Sequence, residues 1–242
     1  MLRLTLLSFL SLITAGSVWA QVPKPGEVRQ LVTFTWQPDR AAEALALYRN
    51  AAIPLYQQTP ALQSFRAFRE VESPVPLDLI VVSSYAGMAG MDLGNAQLRA
   101  QAERGGGTGI GALYRRISAL STGHTDEFVE MLPALGTGDA SSKRLTAFIW
   151  VRLTPGRQGA YEEALAGTVV PWEQSAGIVS ATGRFLLSDG WHVLRLLAFD
   201  SLGAYQAYWA RLRAETDYAP IERLIDRQRE VIVATVPDLS VR

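Results

Sequence analysis

The sequence predicts an α+β fold: two ferredoxin-like βαββααβ units whose antiparallel sheets pack as a pseudo-dimeric α–β barrel. Three observations predict it. The chain repeats itself weakly, strand-like and helix-like segments follow the same order in both halves, and the helices offer single apolar stripes. The repeat is ungapped at an offset of 117, where Pro38, Arg40, Pro54, Gln57 and Phe68 fall on Pro155, Arg157, Pro171, Gln174 and Phe185. Toward the end of each half the offset falls to 104, pairing Tyr114, Ile117, Leu120 and Pro133 with Tyr218, Ile221, Leu224 and Pro237. Self-similarity over so long a unit means that one plan is built twice. The extra length of the first half lies partly in residues 73–77 and mostly in the glycine-rich stretch 105–111.

In the second half, residues 145–153 form a β-rich run that stops at Thr154-Pro155-Gly156, a turn whose Pro and Gly set its dihedrals. Tyr161, Ala164, Leu165, Thr168 and Trp172 follow at helical spacing and give the next helix one buried face. Residues 179–187 and 191–199 read as an antiparallel pair around Ser188-Asp189-Gly190, because Asp-Gly is a strong hairpin signal. Asp200-Ser201 offers an N-cap to a helix striped by Leu202, Tyr205, Trp209 and Leu212. A short helix over 219–229 and a strand over 231–236 complete the order. The first half repeats it with segments 28–36, 41–57, 62–71, 77–86, 91–103, 112–121 and 126–132. A helix returning the chain between non-adjacent strands of one antiparallel sheet is the split βαβ arrangement, with helices on one face. The two uncovered faces then pack on each other.

The first twenty residues stand outside this plan. Arg3, an apolar stretch over 4–16 and the small-residue end Val18-Trp19-Ala20 compose a secretory signal peptide, with cleavage after Ala20. The apolar run is shorter than the roughly 20 residues that span a bilayer. The expected organisation is a leader 1–20, a first half 21–133, a flexible linker 134–144 and a second half 145–242. The expected location is the periplasm or outside the cell, with no membrane partner after cleavage. The chain has no cysteine, so an exported protein of this kind is held by core burial without disulfides. Thiolate metal sites and cysteine nucleophiles are excluded with them. The 23 Lys and Arg balance 23 Asp and Glu, and no basic block is present, which argues against a nucleic-acid partner.

A family resemblance rests on three stretches: Val151-Arg152-Leu153-Thr154-Pro155-Gly156-Arg157 with Tyr161-Glu162, then Val170-Pro171-Trp172, then Leu196-Leu197-Ala198-Phe199-Asp200-Ser201-Leu202. Together they resemble the NIPSNAP-type branch of the dimeric α–β barrel superfamily. In that branch a strand ends in Pro-Gly-Lys/Arg before the first helix, and aromatic-Asp-Ser-Leu opens the second. The first half departs from the pattern, with Pro38-Asp39-Arg40 at the turn and Ala86-Gly87-Met88 where aromatic-Asp-Ser would stand. The resemblance implies the barrel fold and, among its members, cofactor-free monooxygenases, haem-handling enzymes and isomerases. It points to the second half as the one with a working site.

The candidate residues are few. Two histidines cannot make a His-rich metal site, and no cofactor or metal is expected from the residues. His192, on a face with Leu194, Leu196 and Ala198, reads as a locally bonded strand-end histidine, a general base or a haem ligand. His124 lies in a turn-like Ser-Thr-Gly-His run. Arg195 sits in an otherwise apolar strand, so it needs a carboxylate or a ligand, with Glu70 or Glu72 as the candidate partners across the barrel. Trp150 and Arg152 share a strand face; if that face meets the helices, Trp150, Arg152, Tyr205 and Trp209 line a ligand pocket, and otherwise they are core. The glycine-rich 105–111 loosely fits a dinucleotide fingerprint, but no strand precedes it and no Lys-Ser/Thr follows, so it reads as an insertion or a lid. No Ser-His-Asp set is present. The carboxylate pairs Glu162-Glu163 and Asp126-Glu127 read as solvated.

These features point first to an exported barrel that binds a small, largely apolar molecule. An enzyme of the same superfamily, either a cofactor-independent oxygenase or a haem protein of the chlorite-dismutase type, is the second reading. A self-associating structural module is the third.

Overall fold

The computed structural model describes residues 23–72, 79–104, 110–140 and 143–241. The signal-peptide reading, residues 73–78 and most of the glycine-rich stretch therefore lie outside the described residues. Eight antiparallel strands close into one barrel: β1 (Val28–Trp36), β2 (Leu62–Glu72), β3 (Leu79–Tyr85), β4 (Ser121–Met131), β5 (Leu145–Leu153), β6 (Val179–Leu187), β7 (Val193–Phe199) and β8 (Ile225–Thr235). Around the barrel they run β1-β3-β2-β8-β5-β7-β6-β4. The first unit contributes β4-β1-β3-β2 and the second β8-β5-β7-β6, the same order in each. The two seams are β2 on β8 and β4 on β6.

Helices cover the outside. In the first unit α1 (Ala41–Leu47) runs through a π-turn (Tyr48–Ala52) into α2 (Ile53–Gln57), and α3 (Gly87–Arg104) and α4 (Ile110–Ser118) follow β3. In the second unit α5 (Gln158–Ala164) runs through a π-turn (Leu165–Val169) into α6 (Val170–Ser175), and α7 (Leu202–Glu215) and α8 (Ala219–Glu222) follow β7. The starts of β1 and β5, of α1 and α5, and of the two π-turns all differ by 117, and those of β4 and β8 by 104. Each π-turn directly precedes a helical segment with proline at its second position, Pro54 or Pro171. Proline lacks the N–H and crowds the carbonyl four residues back, so a widened turn there removes the clash.

Three apolar clusters result. One lies inside the barrel, with Leu31, Phe68, Ile80, Val129, Phe148, Trp150 and Leu194 among its members. The other two lie between sheet and helices, one per unit. Strand alternation divides the sets: Phe148 and Trp150 point inward while Ala147, Ile149 and Val151 meet the helices. Ser201 caps α7, accepting from the Ala204 N–H at 3.1 Å. Gly190 turns the β6–β7 hairpin at φ +77°.

The structure corrects two sequence expectations here. Residues 225–229 are strand, not helix, because they pair with β5 from Leu153 to Trp150; their charged side chains gave no β signal. The 134–144 segment is a packed strap where it is described. Leu135 and Ala140 are buried, Thr137 and Gly138 donate their N–H groups to the Ser180 carbonyl, and Asp139 pairs with Arg66 at 2.9 Å.

Candidate functional site

In the first unit, alternation turns Gln30, Val32 and Phe34 of β1, Val81, Ser83 and Tyr85 of β3, and His124 and Asp126 of β4 toward the helices. The helices do not fill the space above them. A cavity of about 200 Å³ remains, closed over by Tyr48 from the π-turn, Tyr56 from α2, Asn95 from α3 and Tyr114 from α4. All four tyrosines of the first half line it.

The interior is aromatic. Tyr56 lies 4.5 Å from Phe65 between ring centroids, and Phe34 lies 6.0 Å from Tyr48. Tyr48, Tyr56 and Tyr85 are buried, whereas Tyr114 is 41% exposed and marks the mouth. The Tyr56 and Tyr114 hydroxyls stand 3.5 Å apart. Burial pushes the Tyr48 and Tyr56 phenols well above their ordinary range and Tyr85 up to about 12, and it raises Tyr114 as well. The phenols therefore stay protonated at neutral pH and act as hydrogen-bonding groups rather than bases. At the rim the His124 ring stacks on Phe34 at 5.8 Å, and its Nε2 is 3.4 Å from Asp126 Oδ2. Gln30 Nε2 donates to Asp126 Oδ1 at 2.9 Å.

The second unit fills the equivalent space with charge. Val81 pairs with Val32 in the first unit, and Arg195 pairs with Ile149 at the matching register of the second. Arg195 donates to Glu173 Oε1 at 2.6 Å, with side chains 2% and 0% exposed. The Tyr208 hydroxyl donates to the same oxygen at 2.6 Å, and Ser180 Oγ donates to Glu173 Oε2 at 2.6 Å. Burial alone disfavours the Arg195 charge, but the Glu173 carboxylate outweighs it and holds the guanidinium firmly protonated. The carboxylate partner of Arg195 is thus Glu173 on a helix, not Glu70 or Glu72 across the barrel.

The four-residue pocket of the sequence reading is not assembled. Trp150 faces the barrel interior, fully buried, where its Nε1 donates to Glu127 Oε2 at 2.8 Å and Arg229 stacks on its ring at 4.7 Å. Tyr205 and Trp209 pack on the opposite side of the sheet, and Tyr205 donates its hydroxyl to Glu230. Arg152 pairs with Asp226 at 2.6 Å in a half-exposed position. The sheet separates the two pairs because alternation sends Trp150 inward. Glu127, read as solvated, is buried beside Trp150, and Glu162 pairs with Arg184 at 2.7 Å. His192 is the locally bonded strand-end histidine: its Nδ1 accepts from the Leu153 N–H at 2.9 Å.

Sequence reasoning missed Tyr48, Tyr56, Tyr85, Tyr114 and Asp126 as a set and passed over His124. The signal was present in the first half's four tyrosines, one at a strand end and three on the helical segments that follow the strands.

The architecture is a pseudo-dimeric α–β barrel fold, with both units in one polypeptide. No protein-family model matches the sequence, and no curated protein matches it. Among solved structures, similarity extends to a monooxygenase-like protein from Fusobacterium nucleatum, 8% identical, with a TM-score of 0.62 over 88% of this chain and 94% of that one. An anthrone oxidase-like protein is 12% identical, with a TM-score of 0.59 over 88% and 92%. The chlorite dismutase of Candidatus Nitrospira defluvii is 11% identical, with a TM-score of 0.59 over 90% and 93%. At such identities the likeness establishes the fold.

The described residues do not compose a haem site. The helix–sheet space of the second unit holds the Arg195–Glu173 pair, and His192 is bonded to the backbone. His124 lies flat on Phe34 at the rim of a cavity sized for one or two rings, since a void of about 150 Å³ holds a single benzene. Among the described residues no group of three or more His, Asp and Glu is placed to hold a metal ion, and no helix is long and apolar enough to cross a membrane.

Proposed function

We propose that this protein binds a compact, largely apolar molecule with one polar end in the cavity of its first unit, and that it does so after export. The carrying observation is the open, aromatic space between sheet and helices in one unit, where the other unit is packed with a buried ion pair. An apolar cavity with a few convergent polar groups is the form that small-molecule sites take. Asn95, Ser83 and the phenol hydroxyls supply those groups. The leader over residues 1–20 supports export, and the motifs of the second half support kinship with the NIPSNAP-type branch. Self-association remains compatible with this reading, because the cavity lies within one chain.

The test is thermal and calorimetric titration with one- and two-ring aromatics such as 2-naphthol. At a hundred times its Kd a ligand stabilises by about 2.7 kcal/mol, a shift of several degrees in Tm. Val81→Phe places a ring in the cavity and abolishes the shift while far-UV circular dichroism stays native. A ligand-induced shift that survives Val81→Phe unchanged overturns this location.

A second reading, cofactor-independent oxygenation, is favoured by the His124–Asp126 pair at the cavity rim. An imidazole beside a carboxylate is suited to accept a proton from a bound substrate. Oxygen uptake in the presence of an acidic aromatic substrate, lost in His124→Ala, is the expected result; equal uptake by the variant removes His124 from the role.

A further inference from the structure

We infer that the ligand of the first-unit cavity is an organic cation, a compact aryl-alkyl amine whose ring enters the tyrosine-lined interior and whose ammonium sits at the mouth against Asp126. This rests on the binding role proposed above and specifies its substrate class. Among the described residues that line the cavity, Asp126 is the one full negative charge and there is no lysine or arginine. Its Oδ1 is held by Gln30 Nε2 at 2.9 Å, which fixes the carboxylate at the rim. Asp126 is 40% exposed at its side chain, so an incoming ammonium keeps part of its hydration while it pairs.

The rings act in the same direction. Tyr114 stands half-exposed at the mouth, and Phe34, Tyr48 and Tyr56 line the interior. Aromatic faces carry negative quadrupole potential, and one such face contributes roughly two- to fivefold in affinity for a cation at an exposed site. Burial is the main cause of the raised Tyr48 and Tyr114 phenols, and the Asp126 charge adds to both. The field of this carboxylate therefore reaches the interior from the rim. An anionic ligand would meet both terms with the wrong sign.

The experiment is isothermal titration of the full protein at pH 8 with three probes of one shape: 2-phenylethylamine, 2-phenylethanol and phenylacetate. The expected order is amine first by about tenfold over the alcohol, with the carboxylate weakest. Asp126→Asn weakens the amine until amine and alcohol lie within about threefold of each other, and keeps the native circular dichroism. Binding of the alcohol or the carboxylate as tightly as the amine overturns the cation assignment and leaves the cavity reading standing. An amine preference that Asp126→Asn leaves intact also overturns it. Failure of all three probes, together with failure of the neutral aromatics, overturns both.

Discussion

Arg195 shows how far a single residue can be read. A guanidinium inside an apolar strand demands a carboxylate, and the demand is legible in the sequence. The partner is not, because Glu173 follows Trp172 on a helix where a carboxylate ordinarily faces water. Breaking the pair leaves one charge buried without its counterion. Arg195→Met or Glu173→Gln alone is expected to cost about 3–5 kcal/mol in urea unfolding, and Arg195→Met with Glu173→Leu to recover much of that. Two single variants at wild-type stability would falsify the pair's role. Glu127 allows a second prediction at this scale. Burial raises its carboxyl above the ordinary range, against the Trp150 hydrogen bond and the Arg229 charge. The folded value lies above the unfolded one, so its contribution is complete at pH 4 and falls as pH rises through the window between them. Glu127→Gln removes that slope. The Tm difference between variant and wild type should therefore move in favour of the variant from pH 4 to pH 7, and a constant difference contradicts the assignment.

At the scale of elements, periodicity located strands and helices well and boundaries less well. Residues 28–36, 145–153 and 179–187 are strands to the residue, since their apolar alternation is bounded by Pro, Gly or Asp-Gly. The start of β8 escaped because Asp226, Arg227, Gln228 and Arg229 have no strand preference, and pairing with β5 overrides it. One glycine makes a seam between units possible. Gly183 of β6 lies against β4 so closely that a Cβ would stand 2.9 Å from the Glu130 carbonyl oxygen and 2.2 Å from Val129 Cγ1. Gly183→Val is expected to destabilise by about 2–4 kcal/mol, because backbone cannot give way as a side-chain tip can. Chemical denaturation measures it, and an unchanged midpoint would mean that the seam yields at no cost.

For the molecule as a whole, the matching order of strand-like and helix-like segments in the two halves pointed to two units, and the need to cover two sheet faces pointed to their packing together. That the sheets join edge to edge was not legible, since no local pattern encodes which strand of one unit meets which of the other. Nor was the asymmetry. The spaces between sheet and helices differ through single positions, Val81 against Arg195 and Tyr56 against Glu173, that periodicity treats alike. Because β2·β8 and β4·β6 tie the units together, each unit alone exposes its inner apolar face and two strand edges. Residues 23–140 and 143–242 expressed apart are expected to aggregate or pair, and the whole chain to unfold in one transition. Two independent calorimetric transitions in the intact protein would count against this coupling.

Closure of the barrel also bears on how the chain survives at high concentration. A strand whose N–H and C=O groups are unpaired invites addition of another chain, the first step of cross-β assembly. Here each of the eight described strands has a neighbour on both sides, so among the described residues the barrel offers no growing end. In a protein without disulfide bonds to hold a partly opened chain together, the ring itself serves as protection against fibril growth.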